Sequence, residues 1–318
     1  MNSEDTRLVA VVTGANRGIG KAIVRRLLLQ ASVPLIVYLT ARSVERGQLA
    51  FDDLRREHLR WSAEEEEKEE STAAAAAAAP PPPQNELRFH QLDVSDLDSI
   101  HVFIEYLTLM HGEQSVDILV NNAGGVVYAG GDGGEGGGEE RVVRTCDAKT
   151  AYQTVNMNYY TAVNVTSLLL PRLRPGARVV FLVTALAHLG IFSGDLPKVL
   201  ASDELSLDGL HIIENGFISA VSKGTYGAYG FPPMPFAVAK AGLIAYARML
   251  ARVFARDPRG LLFAAVCPGY VRTDRAGPYA PLTPDQGAET PAYVALADAK
   301  RLRRHNGGLW KQLRPIKW

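Results

Sequence analysis

The chain has 318 residues, of which 47% are hydrophobic, which is enough to bury a large core and excludes a disordered chain. Lysine plus arginine and aspartate plus glutamate both number 34, so no bulk positive field favours nucleic acid or an anionic membrane surface. The sequence contains two cysteines, Cys146 and Cys267, no signal-peptide pattern and no apolar run of membrane length, so we expect a soluble cytoplasmic protein without a disulfide framework or a metal site.

Short apolar runs alternate with amphipathic stretches along the chain, which is the pattern of repeated βαβ units. In chain order, strands are predicted at Leu8–Thr13, Pro34–Thr40, Leu87–Leu92, Val116–Asn121, Arg178–Thr184 and Leu261–Cys267, with a last strand near Gly308–Leu313. Helices are predicted at Gly18–Gln30, Ser43–Glu57, Leu97–His111, Ala151–Leu173 and Phe236–Ala255. Most of the strands are apolar without alternation, as in a sheet covered on both faces. We therefore predict one α/β domain over residues 1–318, a Rossmann-type doubly wound parallel sheet with helices on both faces.

Three stretches interrupt this pattern. Residues 62–85 pass from an acidic cluster through an alanine run into four prolines, so a short helix stopped by the prolines is possible, but nothing would bury it. Residues 129–140 are rich in glycine and costly in backbone entropy to order. Both are predicted to be solvated surface insertions. Residues 190–235 are long and broken by Gly and Pro, and we predict that they form a cover on the substrate side.

A glycine-rich turn, Thr13-Gly14-Ala15-Asn16-Arg17-Gly18-Ile19-Gly20, joins the first predicted strand to the first predicted helix. Glycines at such a turn let the backbone approach a pyrophosphate, and the helix N-terminus adds free N–H groups and the positive end of its dipole. The spacing is Gly-x-x-x-Gly-x-Gly rather than the Gly-x-Gly-x-x-Gly of common dinucleotide sites. A tight turn without a ligand is the alternative.

The end of the second predicted strand bears on the choice of nucleotide. NAD-selective proteins carry an acidic residue there for the ribose 2′-hydroxyl, whereas this chain has Arg42. Arg42 and Arg17 could together bind a 2′-phosphate by charge-assisted hydrogen bonds. The sequence therefore favours NADP(H) over NAD(H), the alternative being that both arginines are solvated surface residues.

Four separated motifs resemble one known family. The turn Thr13–Gly20 is followed in order by Leu92-Asp93-Val94, Asn121-Asn122-Ala123-Gly124 and Pro268-Gly269, and together they resemble the classical short-chain dehydrogenase/reductase family. The stretches Phe89–Asp93 and Gly287–Pro291 are similar to the carbonyl reductases of that family that use NADPH. The resemblance covers nearly the whole chain apart from the two low-complexity insertions. It implies a Rossmann fold, NADP(H) as cofactor, and a ketone, aldehyde or quinone as substrate.

The resemblance also implies which residues bind the cofactor. Asp93 and Val94 would lie at the adenine, Asn121 to Gly124 would line the cofactor and support the sheet, and Pro268 and Gly269 would shape the pocket beside the nicotinamide. The predicted cofactor-binding residues are Gly14, Asn16, Arg17, Gly18, Ile19, Gly20, Arg42, Asp93, Val94, Asn121, Ala123, Gly124, Lys240, Pro268, Gly269 and Val271. Two alternatives stay open, since Asp93 could simply cap the helix beginning near Ser95 and Pro268-Gly269 could be only a turn.

The catalytic residues of the family are Asn, Ser, Tyr and Lys, and this chain departs from that set. The resemblance assigns Asn158 to a water chain, Thr184 to the hydroxyl that orients the substrate, and Lys240 to the nicotinamide ribose. A slip of one residue would put Ala185 in the place of Thr184. The tyrosine position reads Phe236, and no tyrosine precedes a lysine by four residues anywhere in the chain.

Phenylalanine changes the expected chemistry because it has no proton to give. A tyrosine hydroxyl, with an ordinary pKa of about 10, is made acidic by a neighbouring lysine cation. Losing a general acid costs roughly 10² to 10⁴ in rate. Side chains considered as substitutes are Tyr226, Tyr229, Tyr270 and His188. Two hypotheses follow: an NADPH-dependent carbonyl reductase-like enzyme, or a catalytically impaired NADPH-binding sensor or interaction protein.

The stretch 190–235 resembles the insertion that distinguishes monomeric carbonyl reductases from the tetrameric members of the family. It precedes the predicted helix Phe236–Ala255, which pairs across subunits in the tetramers. We therefore expect a monomer, with no nucleic-acid or membrane partner. The apolar residues expected to form the cover are Ile191, Phe192, Leu200, Leu210, Ile212 and Phe217, and the alternative is a mobile loop.

Overall fold

A computed structural model of the protein describes residues 7–72, 85–127, 146–274 and 276–318. The strands are β1 Leu8–Val12, β2 Leu35–Ala41, β3 Glu86–Gln91, β4 Val116–Asn121, β5 Leu173–Leu182, β6 Leu262–Cys267, β7 Leu309–Lys311 and β8 Arg314–Ile316. The α-helices are α1 Gly18–Gln30, α2 Val44–Thr72, α3 Leu97–His111, α4 Ala148–Val155, α5 Thr161–Leu169, α6 Leu196–Ala201, α7 Leu207–Ser222, α8 Pro235–Val253, α9 Pro284–Leu296 and α10 Ala299–Arg303. A π-helical turn, Asn156–Tyr160, joins α4 to α5.

The strands form one sheet in the order β3-β2-β1-β4-β5-β6-β7-β8. β1 to β7 run parallel, and β8 pairs antiparallel with β7. β2 and β3 are added in turn on one side of β1, and β4 to β8 are added in turn on the other side. A crevice therefore opens beyond the carboxyl ends of β1 and β4, which is where open α/β sheets bind their ligands.

Apolar layers cover both faces of the sheet. Helices α1, α2 and α9 pack on one face, with Ile23 and Leu54 in its core. Helices α3, α5 and α8 pack on the other, with Phe103 and Val163 in its core. Every residue of β2 is buried, which accounts for an apolar run without alternation. The predicted doubly wound α/β fold is confirmed.

Some predicted boundaries are wrong. Helix α2 continues past Glu57 to Thr72, so the predicted insertion 62–85 begins as helix, and its residues 73–84 lie outside the described part of the chain. The predicted helix Ala151–Leu173 is divided into α4, the π-helical turn and α5. Its last residue already belongs to β5, because Leu173 pairs with Val116 and a shift of register before Arg178 absorbs the intervening proline and glycine.

The stretch 190–235 contains the helices α6 and α7, and α7 packs against α4 and α8. Phe192, Leu200, Leu210 and Phe217 are buried as expected of a cover, whereas Ile212 is 72% exposed, so its predicted place in the cover is wrong. The predicted insertion 129–140 lies outside the described residues. Within the described part of the chain, no helix has both the length and the hydropathy that a membrane span requires.

The carboxyl-terminal part contains elements that the sequence analysis did not predict. Helix α9 begins with a capping box between Thr283 and Gln286 and carries Pro291 in its interior. The capping box was a readable signal for a helix, and the internal proline obscured it. The predicted last strand is a hairpin of two short strands, β7 and β8.

Candidate active site

The loops that follow β1 and β4 are bound to each other at the crevice. Thr13 Oγ1 accepts hydrogen bonds from the backbone N–H groups of Asn122 and Ala123, both at 3.0 Å. Asn122 Nδ2 donates to the carbonyl oxygens of Thr13 and Gly14, at 2.8 and 3.0 Å. Four hydrogen bonds thus fix the relative positions of the two loops that the sequence analysis assigned to one nucleotide.

The glycine turn has a backbone that only glycine fits. Gly14 and Gly18 have φ angles of +62° and +56°, in the left-handed region. A Cβ added to Gly20 would lie 2.4 Å from Asn122 Nδ2 and 2.8 Å from the carbonyl oxygen of Gly14. Arg17, at the N-cap of α1, makes no side-chain capping hydrogen bond. The start of α1 therefore presents backbone donors and a closely approachable surface, which suit a pyrophosphate.

The two predicted phosphate-binding arginines have different surroundings. Arg42 is exposed just after β2, and its carbonyl oxygen accepts a hydrogen bond from Gln91 Nε2 at 3.1 Å. Arg17 forms an ion pair with Asp274 at 2.6 Å, in which the side chains are 49% and 72% exposed. Exposed pairs contribute only about 0–1 kcal/mol, so Arg17 can exchange this partner for a phosphate. Sequence reasoning missed Asp274 because 257 residues separate it from Arg17.

Asp93 and Asn121 both have structural contacts. Asp93 Oδ1 accepts hydrogen bonds from the N–H and Oγ of Ser95, at 2.9 and 2.6 Å. Asp96, not Asp93, caps helix α3, so the alternative that Asp93 is the helix cap is wrong. Asn121 is buried, and its Nδ2 donates to Thr166 Oγ1 at 2.9 Å, which joins β4 to α5.

Asn158, Gly124 and Lys240 come together although they are far apart in sequence. Asn158 is fully buried on the π-helical turn, and its Oδ1 accepts from the N–H of Gly125 at 2.9 Å. Its Nδ2 donates to the carbonyl oxygens of Gly125 and Thr154, at 2.7 and 2.9 Å. A Cβ added to Gly124 would lie 2.7 Å from Asn158 Oδ1 and 3.5 Å from Lys240 Nζ. The loop after β4, the π-helical turn and α8 therefore share one small space.

Phe236 lies one helical turn before Lys240 on α8. Lys240 is 5% exposed, and burial lowers the pKa of its ammonium to about 7. Its Nζ lies over the Phe236 ring, 5.6 Å from the ring centroid. A cation in this position is attracted by the ring quadrupole. The phenylalanine therefore contacts the lysine as a tyrosine ring would, but contributes no hydroxyl group.

Thr184 follows the end of β5. Its Oγ1 accepts a hydrogen bond from the N–H of Leu186 at 3.2 Å, and its hydroxyl donates to no acceptor among the described residues. The next residue, Ala185, donates its N–H to Cys267 Sγ at 3.2 Å, which links the ends of β5 and β6. Sequence reasoning did not find this role for Cys267.

The loop after β6 reaches back to the glycine turn. Gly269 has φ +86°, and a Cβ added there would lie 2.5 Å from Leu282 Cδ1. Val271 is buried and forms an isolated β-bridge with Leu282. A Cβ on Gly18 would lie 3.4 Å from Thr273 Cγ2, so this loop borders the same crevice.

The four candidate substitutes for the tyrosine lie in other surroundings. Tyr229 is 65% exposed, His188 is exposed, and Tyr226 packs against the core. The hydroxyl of Tyr270 donates to the carbonyl oxygen of Ala276 at 3.3 Å. The contacts found in the described part of the chain connect none of these four side chains to Lys240.

A buried polar cluster, unpredicted from sequence, lies where α7 meets α8. Glu214 is 1% exposed, and neither of its carboxyl oxygens has a hydrogen-bond partner among the described residues. Its Oε1 lies 2.2 Å from the position of a Cβ on Gly242, which explains the glycine in α8. The hydroxyl of Tyr159, next to Asn158, is also buried without a partner there. Burial raises the pKa of Glu214 well above its ordinary value.

Comparison with known proteins adds independent findings. Residues 58–194 match the family model described as short chain dehydrogenase. The chain is 34% identical over 292 residues to carbonyl reductase (NADPH) 1 of Homo sapiens, with 91% of this chain and 90% of that protein covered.

Among solved structures, salutaridine reductase from Papaver somniferum is similar with a TM-score of 0.74 and 23% identity, covering 96% of this chain and 99% of that one. Menthone neomenthol reductase from Mentha piperita is similar with a TM-score of 0.70 and 23% identity, covering 96% of this chain and 98% of that one. At these identities the two structures establish a shared fold.

Proposed function

The chain belongs to the short-chain dehydrogenase family, and from this premise we propose that it is an NADPH-dependent carbonyl reductase. Its substrate is a ketone, an aldehyde or a quinone, whose carbonyl carbon accepts a hydride. The convergence of Gly124, Asn158 and Lys240 beside the glycine-turn crevice is the observation that carries this proposal.

The residues present suit the nucleotide. A bound NADPH would supply the hydride. The glycine turn and the uncapped start of α1 would bind its pyrophosphate, and Arg42 with Arg17 would bind its 2′-phosphate. Lys240 and the loop Asn121–Gly124 would hold its nicotinamide half. Of the other residues predicted to bind the cofactor, Asn16 and Ile19 lie at the glycine turn, Val94 follows β3 and Pro268 follows β6.

Each catalytic side chain has a proposed task. Thr184 orients the carbonyl through its free hydroxyl proton, and Asn158 fixes the loop after β4 through Gly125. Phe236 excludes water from one side of Lys240. A quinone or another activated carbonyl suits this site best, because its oxyanion is stabilised by conjugation and needs less protonation in the transition state.

One observation favours a second function. Phe236 stands at the tyrosine position of the resemblance, so the chain could bind NADPH as a sensor or interaction protein without turnover. Both functions use the same residues to bind NADPH. They differ only in whether a bound cofactor is consumed.

NADPH oxidation distinguishes the two functions. The wild type and Phe236→Tyr are assayed side by side with quinones, α-dicarbonyls and simple ketones, and NADPH binding is measured by fluorescence. Turnover by the wild type, with activated carbonyls fastest, is the expected result. NADPH binding with turnover by Phe236→Tyr alone would establish the non-catalytic function, and failure of the wild type to bind NADPH would end both.

A further inference from the structure

Of the four described residues that meet here, Gly124, Asn158, Phe236 and Lys240, only Lys240 carries an ionisable proton. Gly124 contributes backbone, Phe236 contributes a hydrocarbon ring, and Asn158 has both amide atoms engaged with the backbone of Gly125 and Thr154. Lys240 is the remaining polar side chain of this cluster. Lys240 is therefore the one acid among these four residues that could give a proton to a substrate oxygen.

The environment of Lys240 makes its proton transferable. The side chain is 5% exposed, and its Nζ lies 3.5 Å from the position of a Cβ on Gly124 and 5.6 Å from the centroid of the Phe236 ring. Both neighbours are uncharged, and no described residue forms an ion pair with Lys240. Burial alone lowers the pKa to about 7. A general acid is most effective when its pKa is near the working pH, whereas an ordinary lysine, near 10.4, holds its proton too tightly.

We propose that the ammonium group of Lys240 is itself the proton donor of the reaction, acting directly or across one water molecule. This inference rests on the proposed reductase function. The carbonyl carbon receives the hydride that NADPH supplies, and the electron pair of the broken C=O π bond moves to the oxygen. That oxygen takes a proton from Lys240 Nζ to give the alcohol. The neutral amine that remains regains a proton from water.

A substitution at Lys240 can keep its positive charge while removing its ability to release a proton. Lys240→Arg keeps a cation for the ribose but does not release a proton, because the guanidinium pKa exceeds about 12. Lys223→Arg, at an exposed position at the end of α7, is the matched control. The measured quantities are the NADPH dissociation constant by fluorescence and the single-turnover rate with a quinone and an α-dicarbonyl, between about pH 6 and about pH 9.

We expect the wild-type rate to fall about tenfold per pH unit above about pH 7, as Lys240 loses its proton. Lys240→Arg should bind NADPH within about threefold of the wild type yet react at least about 100-fold more slowly, with a flat pH profile. Lys223→Arg should match the wild type. A Lys240→Arg enzyme that keeps the wild-type rate and pH profile would overturn the inference.

A second readout does not depend on turnover. The ¹³C resonance of the Lys240 Cε, assigned by its loss in Lys240→Arg, should titrate near pH 7 in the intact protein. Titration near 10 overturns the inference even in an active reductase. If NADPH binds but neither the wild type nor Phe236→Tyr reduces any carbonyl, the proposed function fails, and the inference falls with it for that different reason.

Discussion

The crevice has a proposed cofactor end, at Thr13 and Asn122, and a proposed catalytic end, at Phe236 and Lys240. Their polar groups differ in whether they have hydrogen-bond or ionic partners. At the cofactor end, Thr13 and Asn122 are joined by four hydrogen bonds, and buried Asn121 is bonded to Thr166. At the catalytic end, Lys240 is desolvated and forms no ion pair with the described residues. Glu214, where α7 meets α8, is buried without a hydrogen-bond partner among them.

This difference indicates that one end of the crevice is suited to binding a ligand and the other to reacting with one. Satisfied hydrogen bonds make the cofactor end rigid and leave its groups without reactivity, which suits the binding of a preformed ligand. Desolvated ionisable groups cost stability, and proteins retain them mainly where their shifted pKa values are useful. We therefore expect substitutions at the cofactor end to change affinity, and those near the catalytic end to change rates or pH dependence.

The largest effect is expected from Gly20→Ala. The new Cβ would lie 2.4 Å from Asn122 Nδ2, so the two interlocked loops must separate. NADPH affinity should fall by at least about 100-fold, about 3 kcal/mol, with a stability loss of about 1–3 kcal/mol. Fluorescence titration and urea unfolding measure the two effects. Gly216→Ala, where a Cβ meets nothing within 4 Å, is the control, and equal NADPH affinity in the two variants would show that the interlock does not shape the site.

Arg42→Ala tests the nucleotide preference of the cofactor end. A charge-assisted hydrogen bond contributes about 1.5–3 kcal/mol, so NADPH affinity should fall about 10- to 100-fold while NADH affinity changes little. The ratio of the two dissociation constants is the measurement. Arg304→Ala, exposed at the end of α10, should leave that ratio unchanged. An equal loss of affinity for both nucleotides would show that Arg42 does not bind the 2′-phosphate.

Glu214→Gln tests the buried polar cluster where α7 meets α8. Burial raises the folded pKa of Glu214, so the folded state binds its proton more tightly than the unfolded state, and stability falls as pH rises above the ordinary value of 4.5. The neutral amide removes this penalty. We expect a gain of about 1–3 kcal/mol in the free energy of unfolding at about pH 8 and almost none at about pH 4. Urea unfolding at both pH values measures it.

Exposed Glu204 supplies the control for this prediction, because Glu204→Gln should change stability at neither pH. If Glu214→Gln destabilised the protein at about pH 8, the carboxylate would have to be ionised and paired in solution. Burial of Glu214 would then carry no penalty in the free energy of unfolding, and the two ends of the crevice would differ less than described above.

The same contrast explains how far the sequence could be interpreted. The glycine turn and Asn121–Gly124 are local motifs at strand ends, and strand order brings such ends together, so the contact between these two loops was predictable. Their binding of a cofactor stays a prediction. Phe236 and Lys240 were assigned by the resemblance, because they stand four residues apart on one helix where the family has its Tyr and Lys. Glu214, Gly242 and Asp274 were not, because their contacts depend on how α7 packs and on where the loop after β6 returns, and neither leaves a periodic signal.

The smallest effect is expected from Asp274→Asn, which releases Arg17 from its ion pair. Because both partners are exposed, the gain in NADPH affinity should not exceed about fivefold, about 1 kcal/mol, and it should vanish at about 1 M salt, where charges are screened beyond about 3 Å. Asp203→Asn, at a side chain that is 90% exposed, is the control. A fall in affinity would mean that Asp274 orients Arg17 toward the phosphate instead of competing with it. The ion pair between Arg17 and Asp274 would then belong, with the hydrogen bonds of Thr13 and Asn122, to the contacts that hold the cofactor end in shape.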